Sequence, residues 1–225
     1  MAEEKKLMKK MIIRFVAAFI VLGLLLFLPA GTLDFWEGWL YIAILLFPVL
    51  FVVAYFLKHD RELLERRMMM KEKEQKQSII VIVSGFLFFL GFLIIGLDRR
   101  FGWSDVPTAL VLIADVITVI GYAIVFFVFK ENSYASRIVQ VEKGQKVIST
   151  GPYAYVRHPM YSGALLMYLC TPISLGSFIA IPFFLVILLF ILMRIHNEEE
   201  LLARELEGYK EYIQKTKYRL IPHIW

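Results

Sequence analysis

The sequence predicts an all-α, polytopic integral membrane bundle of four spans, followed by a C-terminal helical hairpin and a tail. Three observations predict it. Hydrophobic residues make up 59% of the chain, against about half in a soluble domain. Four stretches with few or no charges each match the thickness of a bilayer. Lysine and arginine collect in alternate connections between them, as topology requires. The 225 residues divide into a membrane bundle, 1–130, and a region 131–225 that holds the polar motifs.

The first ten residues are charged and are expected to fray or lie at the interface. Residues 15–33 contain no charge, and nineteen residues rising 1.5 Å each cover about 28 Å, close to a hydrocarbon core of about 30 Å. Residues 38–57 form a second span, with Trp36 and Trp39 as interfacial anchors. Residues 77–97 form a third and 106–129 a fourth, interrupted by Asp115. An intramembrane acid is a functional flag, but a satisfied interhelical contact is the simpler expectation. No cleavable signal is expected, because the N-terminal apolar run is long enough to stay in the bilayer.

Lys5, Lys6, Lys9, Lys10 and Arg14 precede the first span. The next link carries only Asp34 and Glu37, and the one after it carries Lys58, Arg61, Arg66, Arg67, Lys71, Lys73 and Lys76. The third connection is mixed, with Asp98, Arg99, Arg100 and Asp105; basic residues return after the fourth span with Lys130, Arg137, Lys143, Lys146 and Arg157. This alternation places both termini, the 58–76 link and everything after residue 130 in the cytoplasm. The 58–76 link, with Leu63, Leu64 and Met68 to Met70, reads equally as an interfacial amphipathic helix or a solvated basic connector.

Residues 159–193 carry no charge. One helix of that length would reach about 52 Å, too long for a single crossing. Thr171-Pro172-Ile173-Ser174-Leu175-Gly176-Ser177 breaks it, so a hairpin is expected over about 160–195, down along 161–171 and back along 178–193, with neither arm comfortably full length. The charged stretch from Arg194 extends the return arm, and Gly208 ends or bends it.

Several chemistries find no support. The formal charge of +5 sits beside apolar spans, where it sets topology and meets lipid headgroups rather than nucleic acid. The single cysteine, Cys170, lies in an apolar run and reads as a small buried hydrophobe. The four histidines are dispersed, with no zinc spacing, so no metal is expected. No glycine-rich phosphate loop is present.

Two polar clusters remain. The first is Gly151-Pro152-Tyr153-Ala154-Tyr155-Val156-Arg157-His158-Pro159-Met160-Tyr161-Ser162-Gly163. Its Pro159 opens a helix and pushes His158 out of helical geometry, and a helix start offers amide donors to an anion. An ordinary loop leading into a helix accounts for the spacing equally well. The second is Arg194 with Glu198, four apart on one helical face, with Glu199 on the next facet. A surface ion pair accounts for that spacing; the hairpin, however, returns these residues to the side of the first cluster.

Gly151-Pro152-Tyr153 followed by Arg157-His158-Pro159-Met160-Tyr161-Ser162-Gly163 resembles the cofactor motif of the isoprenylcysteine carboxyl methyltransferase family, which groups with phospholipid methyltransferases. The downstream Arg194, the glutamate pair, Tyr209 with Tyr212, and Arg219-Leu220-Ile221-Pro222 are similar too. The resemblance covers about residues 140–222. It implies that 131–225 is a cofactor-binding methyltransferase region using S-adenosylmethionine at the cytoplasmic face. It carries cofactor contacts onto Tyr153, His158, Pro159, Met160 and Tyr161. Upstream it carries them onto Gln140 and the loop of Gln145, Lys146, Val147 and Ile148. Glu198 would hold the cofactor and Arg194 would face the methyl acceptor as a carboxylate clamp, these two being the catalytic pair. The family's Phe-Gly-x-x-Tyr stands here as Leu206-Glu207-Gly208-Tyr209, which leaves the role open between Glu198 and Glu199; the basic residue before the last proline segment is open between Lys217 and Arg219.

The resemblance implies a lipophilic or prenylated acceptor reached from the membrane lipid, with no metal and no nucleic acid. Arg194 favours carboxyl O-methylation, since an arginine repels an ammonium lipid and a carboxylate needs no base. Phospholipid or lipid-amine N-methylation, a nicotinamide-dependent membrane reductase and a non-catalytic lipid-binding protein are the alternatives.

Overall fold

A computed structural model describes residues 2–69, 72 and 75–225, with only the backbone of residues 2–6. Met1, Met70, Lys71 and Lys73, and the side chains of Lys5 and Lys6, lie outside the described residues. Eight α-helices and no strand occur among the described residues: α1 Ala2–Ala30, α2 Trp36–His59, α3 Arg61–Arg67, α4 Gln75–Phe101, α5 Thr108–Glu131, α6 Pro159–Ser174, α7 Ile181–Glu205 and α8 Tyr209–Lys215. The chain is an all-helical bundle, as its hydropathy predicts.

Five helices, α1, α2, α4, α5 and α7, are long and apolar enough to cross a membrane. Their outer surfaces expose Ile12, Phe19, Leu28, Phe47, Ile82, Phe86, Val116 and Leu189, a belt that water would not tolerate and lipid would. Inside, α1 packs on α4, α4 on α7, and α5 along α6. Leu26, Ile95, Phe184 and Ile195 fill the first core; Phe56, Leu63, Val128 and Phe129 fill a second between α2, α3 and α5. The α5–α6 seam is unusually close. A Cβ on Gly121 would meet the Gly163 carbonyl at 2.7 Å, and one on Gly163 would meet that of Gly121 at 2.7 Å, so only glycine admits this approach.

Several expectations are corrected. The charged N-terminus is helical, continuous with α1, and Gly31 at φ 68° ends that helix before Leu33. The first arm does not end at Thr171: α6 runs through Pro172 to Ser174, and the turn begins at Leu175, the proline forfeiting one i→i−4 bond without ending the helix. The arms are unequal. The 16 residues of α6 cover about 24 Å, whereas α7 has 25 and is long and apolar enough to cross a membrane, the charged extension from Arg194 continuing the helix beyond the apolar run. The turn between them is satisfied from α4. Asp98, buried, accepts from Ser104 N at 2.7 Å and from the hydroxyls of Ser104 and Ser177.

Trp36 and Trp39 are partly exposed, and Trp39 Nε1 donates to Leu33 O at 2.9 Å. Cys170 is buried and free. Asp115 is buried and interacts with the Ser174 hydroxyl of α6, an interhelical polar contact of the expected kind, though neither carboxylate oxygen makes a hydrogen bond of full geometry among the described residues. The 58–76 link does contain a helix, α3, capped by Asp60 accepting from Leu63 N at 3.0 Å. Its Leu63 and Leu64 are buried against protein, so it is neither a bare connector nor a free interfacial helix.

Candidate functional site

The first polar cluster is shaped by its glycine and prolines. Gly151, at φ 57°, opens a one-turn 3-10 helix, Gly151–Ala154. His158 takes φ −126° and ψ 58°, since the proline that follows excludes the helical region. Pro159 then starts α6, where its missing N–H costs nothing. The helix start is not the rich donor site expected. His158 O accepts from both Tyr161 N and Ser162 N, at 3.0 and 3.1 Å, and proline has no amide to offer.

Two further layers hold this turn. The C-terminal tail runs beside it: Arg157 N donates to Tyr218 O and His158 N to Arg219 O, both at 2.9 Å, while Ser162 Oγ donates to Leu220 O at 2.6 Å. Gly208 at φ 81° turns the chain into α8, whose Tyr212 hydroxyl donates to Tyr153 O at 2.7 Å. On the other side Asn132 Nδ2 donates to the Tyr153 hydroxyl at 2.9 Å. The loop 132–150 is anchored from α3, where Arg66 Nε pairs with Glu142 at 2.8 Å.

These pieces enclose a pocket of about 100 Å³. The loop contributes Gln140, Gln145, Lys146, Val147 and Ile148; the turn and α6 contribute Tyr153, His158, Pro159, Met160 and Tyr161; α7 contributes Arg194 and Glu198. Every residue expected there lines it except Glu199. That glutamate is buried behind the wall: Oε1 lies 2.7 Å from Arg157 Nε and 3.2 Å from His158 Nε2, and Oε2 accepts from Arg219 Nε at 2.8 Å. The Arg157 pair has ionic distance without hydrogen-bond alignment. Glu198 and Glu199 therefore differ in kind. One faces the pocket, and the other ties α7, the turn and the tail together; Arg219, not Lys217, is the basic residue that joins it.

Arg194 and Glu198 are not an ion pair. The Tyr161 hydroxyl stands between them, accepting from Arg194 Nε at 2.9 Å and donating to Glu198 Oε2 at 2.7 Å. The remaining Arg194 donors go to Gln77 Oε1 at 3.1 Å, Glu72 Oε1 at 2.9 Å and Arg137 O at 2.9 Å. Four of its bonds are thus made within the chain, and a guanidinium has five N–H donors. Arg194 is a brace in this arrangement more than an open clamp.

Sequence reasoning missed Asn132, Tyr134, Tyr209 and Tyr212 in the lining, and Glu72 and Gln77 as the partners of Arg194. Burial pushes the phenols of Tyr153 and Tyr209 up, and that of Tyr212 to about 12, so all three are protonated donors at neutral pH. The Tyr209 hydroxyl is buried without a partner among the described residues. A buried donor left over in a pocket wall is an opening for a polar ligand.

A second cavity adjoins the first. It is an apolar chamber of about 830 Å³ between α1, α2, α4, α5, α6 and α7, walled by residues such as Phe15, Val53, Phe88, Val125 and Ile187. Met160, Tyr161 and Arg194 line both cavities.

Residues 108–204 match the isoprenylcysteine carboxyl methyltransferase (ICMT) family. The match takes in α5, the pocket loop, the turn, α6 and nearly all of α7, and so carries most of the ICMT-family resemblance read from residues 140–222. The chain is also similar to the Delta(14)-sterol reductase TM7SF2 of Mus musculus, 30% identical over 86 residues, which are 36% of this chain and 20% of the reductase. The chain thus spans about a fifth of that relative's length. Among solved structures it is similar to the eukaryotic intramembrane Ras methyltransferase ICMT, solved without a monobody: TM-score 0.49, 19% identity, 96% of this chain and 85% of that one covered.

Proposed function

We propose that this protein is an integral membrane S-adenosylmethionine-dependent methyltransferase with a lipophilic acceptor, and that its reaction is carboxyl O-methylation of an isoprenylcysteine-like compound. The observation that carries the reading is the meeting of a polar pocket and an apolar chamber at Met160, Tyr161 and Arg194. A reaction between a polar cofactor and a lipid needs two such compartments in contact. The ICMT-family match over 108–204 supports the same class.

The pocket residues fit the group. Glu198 offers a carboxylate to an ammonium, the Tyr209 hydroxyl is an unused donor, and Gln140, Tyr153 and Met160 supply amide, aromatic and thioether faces. S-adenosylmethionine brings a methyl group already activated by its sulfonium, so the protein has mainly to position it. Tyr161 does this work for its neighbours, holding Glu198 and Arg194 in one register. From α8, Tyr209 and Tyr212 wall one side of the pocket, where holding the reactants in line and keeping water away would favour methyl transfer. In this reading the basic end of the bundle faces the cytoplasm and carries the site.

Isothermal titration of the detergent-purified chain with S-adenosylhomocysteine tests the proposal. Binding is expected, and Glu198→Gln should weaken it by about 1–3 kcal/mol. Absence of binding to the unaltered chain would reject the methyltransferase reading. The sterol reductase similarity favours a second reading, a nicotinamide-dependent reductase. Against it, Arg157 and Arg194, which line the pocket, are engaged by Glu199 and Glu72 and are poorly disposed to hold phosphates. Tight binding of a nicotinamide dinucleotide phosphate in the same titration would reverse that preference.

A further inference from the structure

Two arginines that line the apolar chamber have no acidic partner among the described residues. Arg14, on α1, directs Nη1 at the Met68 sulfur 3.0 Å away. Arg67, the last residue of α3, donates from Nη1 to Ser136 O at 3.1 Å and toward Met160 Sδ at 3.7 Å, and lies over the Phe129 ring. A sulfur and a ring face are weak partners for a full charge. Their neighbours differ. Arg66 is paired with Glu62 and Glu142, and Arg194 is braced by Glu72, Gln77 and Tyr161.

Among the described residues, the chamber lining sets Arg14, Arg67 and Arg194 against the one carboxylate of Glu72 in a mostly apolar wall. Burial pushes the Arg67 guanidinium down to about 10, the mark of a cation short of a counter-charge. Met68, the partner of Arg14, adjoins Arg67 in the chain, so both charges gather at one end of the chamber. Met160, which Arg67 touches, lines both cavities.

We infer that Arg14 and Arg67 form the head-group site of the chamber. They receive the anionic head of a lipid whose tail fills the apolar volume, and they, rather than Arg194, read the charge of the methyl acceptor. A guanidinium meets a carboxylate or a phosphate with paired hydrogen bonds, and an unpaired charge beside an apolar wall favours an anion that brings its own tail. A head bound at Arg67 sits beside Met160, at the mouth of the cofactor pocket. Only the naming of the occupant as the acceptor rests on the proposed function; the anion site stands on the unpaired charges.

The test uses the full chain in detergent with two probes of equal tail, S-farnesylthioacetic acid and its neutral amide. The unaltered chain should bind the acid at least tenfold more tightly than the amide. Arg67→Gln and Arg14→Gln should each cut that ratio at least threefold and together bring it near one, while the dissociation constant of S-adenosylhomocysteine stays unchanged. Arg67→Lys, which keeps the charge and spares the fold, should hold most of the preference. Equal binding of acid and amide by the unaltered chain would overturn the inference. So would a preference that survives both glutamine variants and vanishes in Arg194→Gln. A chain that ignores S-adenosylhomocysteine but still prefers the acid would reject the methyltransferase reading alone. Repeating the titration with farnesyl phosphate assigns the head: a ratio larger than that of the acid, lost in the same variants, identifies phosphate as the preferred anion at this site.

Discussion

The polar pocket and the apolar chamber are neighbours built on opposite principles. The pocket is closed by bonds between residues far apart in the chain. Glu199 joins Arg157 and Arg219, Tyr212 reaches back to Tyr153, and Gln77 crosses to Arg194. The chamber has walls of helix, and its shape follows from side-chain volume. Gly85, for one, lines it with nothing within 4 Å of where a Cβ would stand. A pocket held by directed bonds is intolerant of single-atom changes, because each lost partner leaves another group buried and unpaired. A chamber held by packing can be filled or enlarged in small steps.

The largest test of that contrast is Glu199→Ala. Removing the carboxylate strands Arg157, His158 and Arg219, and breaking a buried ion pair costs about 3–5 kcal/mol. The unfolding midpoint in a denaturing-detergent titration should fall accordingly and cofactor affinity with it. An unchanged midpoint would mean that the tail, not the glutamate, holds the pocket.

A smaller effect is expected where the two regions share a support. Gly163→Ala puts a methyl 2.7 Å from the Gly121 carbonyl, which is backbone and cannot swing away. Overpacking of this kind costs about 1–3 kcal/mol. It should displace α5 from α6 and impair both cavities, so stability and the binding of cofactor and lipid probe should decline together. A decline in one alone would show that the seam serves only that region.

The smallest change in stability belongs to the chamber. Gly85→Leu should leave stability unchanged or raise it by up to about 1 kcal/mol through helix propensity. It should nevertheless weaken binding of a farnesyl probe several-fold by occupying tail volume, with S-adenosylhomocysteine binding unaltered. Loss of cofactor binding in this variant would contradict the separation of the two compartments.

Much of the fold was legible because its cause is local. The apolar runs of 15–33, 38–57, 77–97 and 106–129 mark helices whose observed ends lie within a few residues of those bounds, except α1, where the helix extends back through the charged N-terminus. The hairpin was legible in outline, with its turn starting inside the 171–177 stretch that marked it, but its first arm runs three residues past Thr171. A proline signals a turn in the sequence, whereas here Pro172 is carried in the last turn of α6 and Asp98 of α4 satisfies the turn that follows. The set of pocket residues was legible from a motif. Its internal assignment was not, since Glu198 and Glu199 differ by about 100° around a helix, and only the packing of α7 shows which one faces inward.

The sequence by itself determined the helices, their apolar faces and the clustering of basic residues, because these depend on neighbours a few positions apart. It also supplied the motif that names the region 140–222. Tertiary structure alone decided that Arg194 is braced by Glu72 and Gln77, that Tyr161 separates it from Glu198, and that Arg14 and Arg67 line a chamber with no acidic partner of their own among the described residues. The physical reason is that a charge takes its role from its partners, and in a helical bundle those partners come from other helices.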